Sequence, residues 1–141
     1  MAGIVALAVL LVSLVGIQQG YANNNLPAPI SGPIESVSDP SGGCLNLGLN
    51  GAYGTVTISL SRVSILLQDA NPSSTYTVSI GYVQTGGGCD GTWQSVGSVN
   101  TDSVGSGTLA QWFRPESGYN YIFEFKDSAG SVVYATDPLA L

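Results

Sequence analysis

Tyr76-Thr77-Val78-Ser79-Ile80-Gly81-Tyr82 sets large apolar side chains at alternate positions, with small residues between them. Successive side chains of an extended strand point to opposite faces, so Tyr76, Val78, Ile80 and Tyr82 share one face and Thr77 and Ser79 the other. A helix would scatter those four residues around its circumference, whereas a half-buried antiparallel strand requires this spacing. Asn71-Pro72-Ser73-Ser74 just before it has the residue types of a turn.

The same pattern recurs on both sides. Thr55 to Leu60 places Val56, Ile58 and Leu60 on one face, and after Arg62 the apolar residues move to odd positions, Val63 and Ile65, which implies a bulge or strand break near Ser61-Arg62. Leu45 to Leu49 alternates before an Asn50-Gly51 turn. Downstream, Trp93 to Val99 and Gly107 to Phe113 flank the turn Asp102-Ser103-Val104-Gly105-Ser106. Tyr121, Phe123 and Phe125 alternate with Ile122, Glu124 and Lys126, and Asp127-Ser128-Ala129-Gly130 closes a hairpin onto Val132-Val133-Tyr134. Helical periodicity is absent after residue 22, so residues 44–141 are expected to form one antiparallel β-sandwich of about seven strands. Its expected core is Tyr76, Ile80, Trp93, Trp112, Tyr121 and Phe123, with the inward face around Trp112 not fixed by the pattern.

The N-terminal part is different in kind. Residues 1–34 carry no charged side chain, and Ile4 to Ile17 is almost continuous hydrocarbon. A helix that is apolar around its whole circumference needs lipid or other helices on every side. Three fates follow for an expected hydrophobic helix over residues 1–22. It is a signal peptide cut after Gly20-Tyr21-Ala22; it is a retained span, since ~1.5 Å per residue gives about 33 Å against a ~30 Å bilayer core; or it is the packed core of an assembly. Residues 23–43, with Pro27, Pro29 and Pro33, read as an extended linker. Ile30, Ile34 and Val37 could equally lie along a sheet edge, of their own head or of a neighbouring subunit.

An apolar N-terminal segment of this kind, joined to a β head, resembles in layout the archaeal type IV pilins. No Lys/Arg-Gly processing site precedes the apolar run, and Val5 stands where bacterial pilins carry glutamate. The resemblance implies a surface filament that is a homopolymer of this chain, inserted in the membrane before assembly and then extracellular. Ile4, Leu7, Leu10, Leu11, Leu14 and Ile17 would then be the assembly face of the helix, with the head exposed for adhesion. The runs Trp93 to Thr108 and Tyr121 to Thr136 also resemble Ig-like modules of prokaryotic surface proteins. The alternative function is a secreted or cell-surface Ig-like binding module from which residues 1–22 have been removed.

Cys44 and Cys89 are the only cysteines and both follow glycines. In an exported chain they are expected to form a disulfide, worth about 4 kcal/mol in the chain-entropy model. There is no histidine, which removes the usual general base and the usual activator of a serine or cysteine nucleophile. The acidic residues Glu35, Asp39, Asp69, Asp90, Asp102, Glu116, Glu124, Asp127 and Asp137 are spread singly, mostly in turns. Gly86-Gly87-Gly88-Cys89-Asp90-Gly91 lacks the lysine and following helix of a phosphate loop, and the Asp102 loop offers a calcium ion one carboxylate. The expectation is therefore a non-enzyme without cofactor or metal. A net charge of −6 disfavours nucleic acid as a partner. Lys126, beside Glu124, is expected to form a solvated ion pair in preference to an isopeptide crosslink.

Overall fold

The computed structural model describes residues 28–84 and 89–141, the side chains of 84 and 89–91 excepted. In chain order the strands are β1 (Ile30–Pro33), β2 (Glu35–Val37), β3 (Leu49–Asn50), β4 (Gly54–Ile58), β5 (Arg62–Leu67), β6 (Thr75–Gln84), β7 (Cys89–Asn100), β8 (Gly107–Trp112), β9 (Tyr119–Lys126), β10 (Val132–Ala135) and β11 (Leu139–Ala140). One sheet has the order β1-β4-β5-β8; the other has β3-β2-β10-β9-β6-β7, with β11 added beside β9. Every pairing among them is antiparallel.

This corrects the expected fold class on three counts. Among the described residues there are eleven strands, nine of them within residues 44–141 where about seven were expected, because short segments such as β3 and β11 pair without leaving a long alternating signature. No helix occurs among the described residues, and none is long and apolar enough to cross a membrane. Residues 1–22, with Ile4, Leu7, Leu10, Leu11, Leu14 and Ile17, lie outside the described residues. An Ig sandwich interposes a later strand beside its second strand in the first sheet. Here β4 and β5 pair as a simple hairpin, so the Ig-like strand order is not met.

The segment expected to be a linker builds strands of its own sandwich. β1 pairs with β4 through Ile30↔Ile58 and Pro33↔Thr55, and β2 pairs with β10 through Glu35↔Ala135. Between them the chain changes sheets at Ile34, which is wholly buried, takes a bond from Tyr53 N–H (2.6 Å) and donates to the Gly54 carbonyl (3.0 Å). Proline is tolerated here because β1 is an edge strand, where an outward position needs no N–H. A Cβ at Gly32 would meet the tip of the Leu139 side chain, which would have to shift to make room.

The change of face near Ser61-Arg62 is a tight hairpin turn: Ser59 N–H donates to the Arg62 carbonyl at 2.8 Å. Val56, Ile58, Val63, Ile65 and Leu67 then meet Tyr76, Val78, Ile80, Val99, Phe123 and Phe125 between the sheets. Leu60, expected on the face of Val56 and Ile58, sits in the turn and is exposed. Two tyrosines lock loops to the core by the same device. Asn71 N–H donates to Tyr76 Oη (3.3 Å), and Glu116 N–H donates to Tyr121 Oη (2.6 Å), which itself donates to the Glu116 carbonyl (3.1 Å). Such hydroxyl latches are a known corner device of β-sandwiches.

The strand register divides the sandwich into two poles. Ile30, the Ser59–Arg62 turn, the Trp112 end of β8 and β11 lie at one pole. The turns at 71–74, 102–106 and 127–131 lie at the other.

Candidate functional site

The expected core divides into three groups. Tyr76, Ile80, Tyr121 and Phe123 are buried, Trp93 is half-buried, and Trp112 is 76% exposed. Trp93 lies across Gly81, where a Cβ would come within 2.8 Å of its ring. Trp112 is on the outer face because β8 pairs Arg62 with Trp112 and Ile65 with Leu109, so even-numbered β8 residues face away from the core. Nothing in Thr108-Leu109-Ala110-Gln111-Trp112 distinguishes the faces, since Leu and Trp fall on opposite ones.

At this strand the two sheets part slightly. A cleft of 220 Å³ opens between β7 and β8, with Val63 and Ile80 as its floor, Gln94, Ser95 and Val96 on one wall and Gln111, Trp112 and Phe113 on the other. Tyr82 Oη donates to Gln94 Oε1 at 2.6 Å and fixes that wall, while Phe113 meets Tyr121 edge-on with ring centroids 5.3 Å apart. No titratable side chain lines the cleft, so it can hold an apolar or neutral group but has nothing with which to move a proton. The alternation of β8 could have marked it as a strand, but not this opening, which depends on how far β7 stands from β8.

The acidic residues are mostly accounted for by backbone chemistry. Asp102 Oδ1 accepts from the N–H groups of Val104 and Ser106, both at 2.9 Å, and Asp127 Oδ1 accepts from those of Ala129 (2.9 Å) and Ser131 (3.0 Å). The two loops, Asp102-Ser103-Val104-Gly105-Ser106 and Asp127-Ser128-Ala129-Gly130-Ser131, are one turn used twice. The donors from Ser106 and Val104 hold the Asp102 carboxyl below its ordinary pKa. Asp39 is lowered likewise, first by the Ser41 hydroxyl and then by the Ser41 N–H. Among the described residues no group of three or more His, Cys, Asp or Glu is placed to hold a metal. Glu35 and Asp137 do share a cleft of 230 Å³, with Cys44 and Leu47 on its wall, although nothing in their spacing announced it.

Glu124 is the exceptional carboxylate. It was expected to face water on the outer side of its sheet, and it is nearly buried, with Lys126 Nζ 3.9 Å from Oε2. Burial raises its pKa above the ordinary glutamate value, and Lys126 opposes the rise. A carboxyl raised in this way favours the folded state when protonated. That contribution is complete below the unfolded value near 4.5 and is lost as the pH climbs through the folded one. Glu124→Gln should therefore melt higher than the wild type at pH 7, with the gap closing as the pH falls toward 4. A gap independent of pH in thermal melts would contradict the role assigned to burial.

Comparisons with protein-family models, curated proteins and solved structures return no match to this chain.

Proposed function

We propose that the chain is an exported, non-enzymatic structural subunit of a surface filament. The uncharged apolar segment Met1–Ala22 serves as its assembly element, and the β-sandwich is the exposed head, available for adhesion. The observation that supports this reading is where the described sandwich begins and ends. The first strand of the described sandwich is edge strand β1, which begins eight residues after Ala22 in the sequence. Its C-terminal strand β11 sits at the same pole, with Leu139 opposite Tyr121. The loops at 102–106 and 127–131 are thereby left free at the far pole. The partners proposed are other copies of the chain, and the membrane before assembly.

A Cys44–Cys89 bridge is part of the proposal. It is supported by the Cys44 sulfur not standing as a free thiol and by the chain having one other cysteine, Cys89, opposite Val83 in the β6–β7 ladder. It would tie the long loop between β2 and β3 to the β6–β7 hairpin.

Leu11→Lys tests the filament reading. An unpaired ammonium among apolar neighbours costs several kcal/mol in each subunit, so the variant should export a folded head yet yield no filaments by electron microscopy. Filaments of normal appearance whose mature subunit still carries Leu11→Lys would overturn the assembly role. So would a mature chain that starts at Asn23, the outcome expected of a binding module that sheds residues 1–22.

A further inference from the structure

Each sheet of a sandwich ends in edge strands whose outward N–H and C=O groups can recruit another strand, and proteins protect such edges with proline, charge, bulges or brevity. Of the four strands that end the two sheets among the described residues, three are protected. On β1 the Ile34 N–H faces β4, so alternation turns positions 33, 31 and 29 outward, and two of these are Pro33 and Pro29. β3 has two residues. β7 is broken by register shifts opposite Val78/Ser79 and Gly81/Val83, and by Gly97 at φ +146°.

β8 has none of these defences. Its six residues, Gly107 to Trp112, pair with β5 without a shift and include neither proline nor a charged side chain. Phe113 N–H donates to the Ser61 carbonyl (3.0 Å), so Phe113, Gln111 and Leu109 address β5. The N–H and C=O groups of Thr108, Ala110 and Trp112 therefore point to the open edge, where β8 has no neighbouring strand in its sheet.

We propose that two copies of this chain pair antiparallel through β8, with the two-fold axis at Ala110. The edge is complementary to itself. Ala110 faces its own copy and Thr108 faces Trp112 in both directions, so every outward N–H and C=O of the three residues finds a partner. Two features that the single sandwich leaves without a role are then used. Across the join, the outer row runs Arg62, Trp112, Thr108 of the second copy and Leu66 of the second copy, because Leu66 pairs with Thr108. The indole, 76% exposed, thus lies in one outer row with Leu66 of the second copy, itself 41% exposed, with Thr108 between them. On the inner side Leu109 of the second copy falls opposite Gln111, at the mouth of the 220 Å³ cleft floored by Val63 and Ile80. A closed two-fold contact brings no like charges face to face: Arg62 stands one strand back, and Arg114, two residues beyond Trp112, falls opposite Ser106 of the second copy.

The pairing does not rest on the filament reading, and it is tested on the full chain in detergent micelles by amide hydrogen exchange. Raising the protein concentration from micromolar to near-millimolar should slow exchange at Thr108, Ala110 and Trp112 by about tenfold or more. Ala110→Lys sets two ammoniums face to face at the axis and should abolish that protection, as should Thr108→Lys. Both side chains lie on the exposed face of a strand that stays paired to β5. Ser31→Lys, on the proline-protected edge, should leave it intact. Exchange at the three amides that stays fast at every concentration overturns the proposal. So does protection that survives both lysine variants, or that Ser31→Lys removes equally.

Discussion

Phe123→Ala should lower the unfolding free energy by about 3–5 kcal/mol, the usual cost of emptying a fully packed aromatic site. Phe123 has no exposed surface and stands on β9, the strand that joins the halves of the larger sheet, opposite Ile80 of β6. Its backbone is fixed on the other side by Thr136, whose Oγ1 accepts its N–H at 3.1 Å and whose N–H reaches its carbonyl at 3.0 Å. A site held on both sides relaxes little, so the void persists. Against a total of about 5–15 kcal/mol for a small domain, the loss would be a large part of the whole. Urea denaturation measures it, and a loss under about 1 kcal/mol would mean that the two sheets are not closed over this ring.

The twice-used turn supplies its own control. Gly105 and Gly130 have the same backbone angle, φ +82°, at the same position of the same five-residue loop. Alanine at either site incurs the left-handed strain of about 1–2 kcal/mol. At Gly130 nothing lies within 4 Å of the new Cβ. At Gly105 it would drive into the backbone carbonyl of Ala70, whose N–H donates to the Gly105 carbonyl at 3.1 Å. Overpacking against backbone adds about 1–3 kcal/mol, so Gly105→Ala should cost roughly twice as much as Gly130→Ala or more. Equal losses in paired melts would show that the Asp69–Asn71 segment moves aside freely.

The strands that reveal themselves are those with one clear inward face. β6 and β9 place Tyr76, Val78, Ile80, Tyr121, Phe123 and Phe125 inside, as their period of two requires. β9 also hides what the pattern cannot express: Ile122 and Glu124, assigned to the solvent side by alternation, are buried as well. Alternation reports two faces, not how much of each is covered. For β1 and β2 the residues leave a linker and an added sheet-edge strand both open, because Pro29 and Pro33 look like a spacer while Ile30, Ile34 and Val37 suit an edge, and only pairing with β4 shows that a proline there occupies an outward position. Leu60 and Trp112 are misplaced for opposite reasons. Leu60 continues a correct period into a turn, and Trp112 ends a strand whose period never declares its inward side. The edge cleft was illegible for a simpler reason: it is the gap between two consecutive strands that belong to different sheets, and no residue pattern fixes how far apart they stand.

The switch of sheets at Ile34 has a mechanical consequence. Tension arriving from residues upstream of Ile30 pulls along β1, parallel to its ladder with β4, so those bonds are loaded together in shear and are not peeled one at a time. The same few residues continue into β2 and are held by β10 in the opposite sheet. A tug on the N-terminal side is therefore divided between both layers, and the buried Ile34 is the point where the load splits.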